Sequence, residues 1–265
     1  MDSPNQDRAV DRAIATGFSS REAKMDDQAA TRALDSQSVD YVLSAVRAAI
    51  GPVPIVGPLL AELAGVVVPH QRVDRIARFA VELERRIEQL ESPERIKEQL
   101  ANETFTDLLE EGLRQAAHSL SDERREYIAS LISSSLSVAG IRSAESKHLL
   151  RILDEVNDIE IVWLRYFREP SMSGDEEFRN RHAEVLRPAI ATYGSSPAEV
   201  DQSTLQASYK QHLSRLNLLK PRYELDPETD QPKFDRVRGQ QEIEGYEITQ
   251  MGRLLLREIG LGDTG

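Results

Sequence analysis

Ala48 to Pro69 reads AAIGPVPIVGPLLAELAGVVVP, 22 residues in which Glu62 is the one charge. A single continuous helix of that length would match a hydrocarbon core about 30 Å thick. The prolines argue against continuity. Pro52, Pro54 and Pro58 fall in the first half, and each disfavours helix at the residue before it, so a bend is expected through Gly51 to Pro54. Ile55 to Val68 remain as a helix of about 14 residues, with Pro58 in its first turn and Pro69 at its stop. Within it Gly57, Ala61 and Gly65 recur every fourth residue and form a flat face that a second backbone can approach closely. Leu59, Leu60, Leu63, Val66 and Val67 cover the remainder, and a helix apolar nearly all round is either core or in contact with lipid. Glu62 is costly in lipid and tolerable at a core rim, which favours a buried central helix over a concealed membrane-active hairpin. Gly57, Leu60, Ala61, Gly65 and Val67 are the candidate packing or membrane face.

Moving outward, Val73, Ile76, Ala80, Leu83, Ile87 and Leu90 are spaced 3, 4, 3, 4, 3, the alternation of a heptad seam. Between them stand Arg72, Asp74, Arg75, Arg78, Glu82, Glu84, Arg85, Arg86, Glu88 and Glu91, which reads as a solvated face of mixed sign. The seam suits an intramolecular hairpin with the preceding apolar segment, and it also suits a self-associating coiled coil. Upstream, Met1 to Leu34 is polar and acidic where a secretory signal needs a basic start and an apolar core, so residues 1–35 read as a polar arm on a chain that starts in the cytosol.

Downstream, Ser92-Pro93-Glu94 predicts a helix start, Phe105, Leu108, Leu109, Leu113 and Ala116 form one apolar stripe, and Tyr127, Ile128, Leu131, Ile132 and Leu136 another. A further helix begins at Ser143. Short connections between these elements make 36–156 a helical bundle around the apolar 48–69 segment. Ser133-Ser134-Ser135 has no acid or His at motif spacing and is assigned to close helix packing.

The last third changes character. Asp158 to Arg168 holds Trp163, Tyr166 and Phe167, the densest aromatic cluster in a chain with 5% aromatics, and should anchor the core of residues 157–265. A helix is expected over Asp175 to Tyr193, kinked or ended by Pro188, then a loop at Gly194 to Pro197 and a helix over Thr204 to Leu219. Tyr223 and Leu225 alternate with charge as in a strand, Asp226 to Gln241 is a long polar excursion, and Tyr246-Glu247-Ile248 returns. Thr249 caps a final helix, Met251 to Ile259, stopped by Gly260.

That order resembles a winged-helix module. LSRLNLLKPRYEL (Leu213 to Leu225) is similar to the end of a winged-helix recognition helix, and GYEITQMGRLLLREIG (Gly245 to Gly260) to the strand and helix after a wing. Asn217 stands where many such families carry Gly, and Ile248 where they carry Leu; Asn accepts left-handed backbone and Ile suits a strand. More broadly, RREYIASLISSSLS, HLLRILDEVNDIEIVWLRYF, HLSRLNLL and GYEITQMGRLLL, across about 105–260, resemble the Abi-alpha type of bacterial abortive-infection protein. The resemblance implies a role in defence against phage and supplies no biochemical activity.

Charge decides among partners. The chain of 265 residues carries 45 acids against 33 bases, a net charge of −12, which excludes a uniformly basic nucleic-acid binder. Lys210, Arg215, Lys220 and Arg222 are the local candidates for nucleic-acid contact, but residues 204–265 hold 9 bases and 10 acids, a poor footprint for phosphate. Zero Cys removes disulfides, thiolate nucleophiles and Cys-based metal sites.

His70, His118, His148, His182 and His212 show no metal-binding spacing, and no P-loop or nucleophile elbow is present. The glycines of Gly260 to Gly265 match a dinucleotide fingerprint at the chain's last residues, where no helix follows, and are read as a helix cap and tail. The expectation is a mainly α protein: a helical bundle with an apolar central helical hairpin, followed by a winged-helix-like α+β module. It is expected to act without catalysis, cofactor or metal, through a protein partner or self-association. Conditional membrane engagement by 48–69 would place it at times against the inner membrane rather than in the cytoplasm. A winged-helix DNA-binding regulator is the alternative.

Overall fold

Pro54 to Val56 form a turn, and the first helix described, α1, runs Gly57–Val67 with Pro58 in its first turn. The computed structural model describes residues 53–67, 72–90, 96, 98–99, 102–137, 142–169, 175–192, 194–235 and 239–262. The polar arm at 1–35, the start and end of the apolar segment (48–52 and 68–69) and the helix start at Ser92 to Glu94 lie outside them. Ile96 is helical and buried.

The bundle is built from α1, α2 (Val73–Ile87), α3 (Glu103–His118), α4 (Asp122–Leu136) and α5 (Ser143–Glu155). Short polar caps set two of the helix starts: Asn102 accepts from the Thr104 N–H at 2.8 Å, and Ser121 from the Arg124 N–H at 3.1 Å. Each satisfies a donor that has no partner within its own helix. The seam of α2 lies chiefly against α4 and α3, α1 rests on α3, and α5 closes over α3 and α4. Arg124 fastens the far end, donating to the carbonyls of Leu153 (2.7 Å) and Val156 (2.5 Å) and to Asp158 (2.9 Å), so a single guanidinium holds α4, the end of α5 and the next helix. Within the serine triplet, the hydroxyls of Ser133 and Ser135 donate to the Ser130 and Ile132 carbonyls of their own helix.

Beyond Val156 come α6 (Asp158–Arg168), α7 (Glu176–Arg181), α8 (Ala183–Leu186) and α9 (Pro197–Arg215), then β1 (Leu219–Tyr223), β2 (Phe234–Asp235), β3 (Gln240–Gln241), β4 (Ile243–Ile248) and α10 (Gln250–Glu258). The helix expected over 175–193 is two short pieces that end before Pro188, whose ring disfavours helix at Arg187. The helix expected from Thr204 starts seven residues earlier. Ser196 and Glu199 form a reciprocal capping box and Pro197 takes the first helical position, so the residues read as a loop are a helix start. Its end also moves. Asn217 adopts φ 58°, the left-handed conformation anticipated for it, and this reversal frees Leu219 to begin a strand instead of closing the helix.

β1 and β4 pair antiparallel, Leu219 opposite Ile248, with an irregularity at Arg222/Tyr223; β2 and β3 form a second short pair inside the polar excursion. Apart from Phe178, the buried apolar side chains of the described residues form one cluster from Val53 to Ile259. α10 packs on α4 and α6, and the Ser134 hydroxyl donates to Glu258 at 2.6 Å, which joins the last helix to the bundle.

Gly252, in the first turn of α10, is where this join is tightest. A Cβ there would stand 2.4 Å from the Leu218 carbonyl oxygen and 2.8 Å from Ile248 Cγ1. Gly252→Ala should therefore destabilise the fold by about 1–3 kcal/mol despite Ala's better helix propensity. Urea unfolding should show a lower midpoint at unchanged slope.

Candidate functional site

The prolines at 54 and 58 carry no N–H, and the intervening Ile55 and Val56 N–H groups precede α1 with no helical carbonyl to bond. A carboxylate from another helix takes both. Glu84 of α2 accepts from Ile55 N–H with Oε1 at 2.8 Å and from Val56 N–H with Oε2 at 3.0 Å. Glu84 is 5% exposed. A carboxylate so far from water is tolerated because both of its oxygens are engaged, and the bonds are of the strong, charge-assisted kind. Placed at the N-terminal end of α1, its charge also faces the positive end of the helix dipole.

Around this clamp the expected face is partly assembled. Val53, Val56 and Leu60 are buried, Gly57 is buried and Ala61 half-buried, while Ile55, Pro58 and Glu62 are exposed. Gly65 and Val67 are placed in α1 by the backbone alone. Among the described residues no helix is long and apolar enough to cross a membrane; α1 has 11 residues, about 16 Å at 1.5 Å per residue.

The seam residues are taken up inside the chain. Ile76, Ala80, Leu83 and Ile87 are fully buried, and Val73 and Leu90 pack against the same core. Phe79 is fully buried as well and widens the seam beyond the heptad positions. Glu84 was read as part of a solvated face, and burial overturns that. A signal existed: two backbone donors stranded between prolines need an acceptor, and position 84 lies one turn beyond Ala80 on the flank of the seam.

The four bases considered for nucleic acid are spread over two elements, and three of them are engaged. Lys220 pairs with Glu247 at 2.9 Å and Arg222 with Glu244 at 3.1 Å, both across the β1–β4 ladder. Lys210 sits 4.3 Å from the centre of the Trp163 ring, and desolvation by burial there lowers its pKa from the ordinary 10.5. Arg215 is exposed and lines a cleft of about 470 Å³ together with Ser208, Tyr209 and His212.

In that cleft Glu160, 2% exposed, holds His212 Nδ1 at 2.7 Å with one oxygen and the Asn157 N–H at 2.9 Å with the other. A carboxylate that orients an imidazole can serve proton transfer. Here it ties the cap of α6 to α9, and among the described residues neither the Ser208 nor the Tyr209 hydroxyl bonds the imidazole. Nor do three or more His, Cys, Asp or Glu side chains gather as a metal site among the described residues.

Comparison of the chain with protein-family models, with curated proteins and with solved structures gave no match.

Two outcomes follow from this geometry. Glu84→Ala strands one buried and one part-buried donor and should cost about 3 kcal/mol, while Glu84→Gln, which keeps one acceptor, should cost less. Hydrogen exchange at Ile55 and Val56 should accelerate in that order. For Lys210, titration followed by NMR should give a pKa below that of the other lysines. With the folded pKa depressed, the unfolded chain binds more protons in that window. The lysine's penalty on stability should therefore fade as pH rises toward 10.5, and Lys210→Met should remove this slope.

Proposed function

We propose that this chain is a non-catalytic regulatory protein of the abortive-infection, phage-defence type, and that α1 is the part it holds in reserve. The Glu84 clamp carries this reading. An apolar helix with one charge is held at its start by a carboxylate on another element and by the buried Val56 and Leu60, with Leu59 and Leu63 only half-buried beside it. A hold of this kind can be broken without dismantling the α2–α4 core, because the seam beneath it is filled by residues of α2, α3 and α4.

Two targets suit a freed apolar helix: a groove on a partner protein, or the surface of a membrane. Its length of 11 residues and the chain's net charge of −12 both weigh against an anionic bilayer and favour the protein groove. We read α9, β1, the β2–β3 hairpin, β4 and α10 as a winged-helix-like scaffold in which the hairpin is the wing. The Asn217 reversal and the Thr249 cap, whose hydroxyl accepts from Gly252 N–H at 3.0 Å, support that reading. Its use as a DNA reader is disfavoured by the net charge of −12 and by the 9 bases against 10 acids over residues 204–265.

Growth of bacteria expressing the variants tests this proposal. Glu84→Ala, which loosens α1, should slow growth at least about tenfold relative to wild type, as a constitutively released effector would. Adding Leu59→Asp and Leu63→Asp, which blunt the apolar face, should restore it. Vesicle flotation of the purified Glu84→Ala protein should leave it in the unbound fraction; co-flotation would transfer the target from protein to membrane. Growth unaffected by Glu84→Ala, or slowed equally with the blunted helix, would remove α1 from the mechanism.

A further inference from the structure

On the opposite part of the chain, α6 and β4 bring three rings into one place. Tyr166 and Phe167 come from α6 and Tyr246 from β4, with the Phe167 and Tyr246 centroids 6.0 Å apart at 58° and Tyr166 edge-on to Phe167 at 5.3 Å. All three are half-buried, so each keeps an open surface toward a cleft of about 420 Å³. That volume falls within the range of small-molecule pockets, about 300–1,000 Å³.

Guanidinium groups rim the same cleft. Arg222 of β1 and Arg253 of α10 both line it, and both are exposed. Arg222 shares an exposed and therefore weak ion pair with Glu244, and Arg253 faces no acid at ion-pair distance among the described residues. The acid in the lining, Glu247, is taken by Lys220 at 2.9 Å. In a chain of net charge −12 this is a local excess of positive charge beside aromatic faces.

We propose that this cleft binds a nucleoside phosphate, its base stacked on Tyr246 or Phe167 and its phosphate held by Arg222 and Arg253. Rings offer every base a stacking face, and forked guanidinium groups match phosphate oxygens bidentately. The rings contact one another directly, so a base would stack on an open face of Tyr246 or Phe167. The chain's net charge of −12 disfavours a long polyanion more than a single small anion. This selects a mononucleotide over a nucleic-acid strand. The site is separate from α1 and stands whether or not that helix is released.

Trp163 is the one tryptophan of the chain, and its ring centroid lies 5.7 Å from that of Tyr166 and 6.1 Å from that of Phe167, so its fluorescence reports on the cleft. The full-length protein is titrated with AMP, GMP, CMP and UMP, with adenosine and inorganic phosphate as the separate halves, and with a short single-stranded oligonucleotide. At least one mononucleotide should bind saturably and at least about tenfold tighter than either half, since base and phosphate are held together. Arg253→Glu, an exposed substitution, should weaken it by about tenfold or more at unchanged melting temperature. Tyr246→Leu should weaken it too, and should it not fold, Arg253→Glu carries the test alone. Glu84→Ala should leave the affinity unchanged. Four results would each overturn the site: no saturable change up to millimolar nucleotide, affinity equal to that for inorganic phosphate, affinity undiminished in Arg253→Glu, or tighter binding of the oligonucleotide.

Discussion

Ile76, Phe79, Ala80, Leu83 and Ile87 lie along one side of α2, and all are removed from water. Burying a large aliphatic or aromatic side chain stabilises a fold by about 1.5–3 kcal/mol, so this stripe is a strong local demand. α3 and α4 meet it, α5 covers them, and α10 reaches back from the end of the chain to pack on α4. The order of helices in space follows from which faces remain to be covered once α2 is inside. The same burial places Glu84 out of water at the edge of the stripe, where only the stranded amides of Ile55 and Val56 satisfy it. The clamp is thus a consequence of the core.

Charge is distributed with a comparable economy. Many of the bases that a sequence presents as a binding surface are consumed in holding the chain to itself. Arg124 joins three helices, Arg168 donates to the Leu261 carbonyl at 2.6 Å, Lys210 lies over Trp163, and Lys220 matches Glu247 across a two-stranded sheet. Arg253 is left pointing at an aromatic cleft.

Much of the architecture was legible in residue order. The apolar stripes of α3 and α4, the caps at Ser121 and Thr249, the left-handed Asn217 and the stop at Gly260 are local signals, and the chain obeys them. One local signal reads differently in the structure. Ser196-Pro197 with Glu199 is as good a helix start as Ser92-Pro93-Glu94, yet its Gly-Ser-Ser-Pro neighbourhood suggested a loop. Pro188 ends its helix, one of the two outcomes expected of it, while the further break at His182 has no proline or glycine to announce it.

The sites were harder to see, for a physical reason. Residues spaced along one helix can be placed on a face by counting, since 3.6 residues make a turn. By itself the sequence determined a helical protein with an apolar α1, a buried seam in α2, a small sheet near the end and a strongly acidic surface. Only the tertiary structure decided that Glu84 would reach residues 28 and 29 positions away, that Glu160 would meet His212 across 52, and that rings from α6 and β4 would share a cleft with Arg253. Hydrogen bonds and ring contacts act over a few ångströms between groups far apart in the chain. Which groups come that close is fixed by how the helices pack, and no local pattern encodes it.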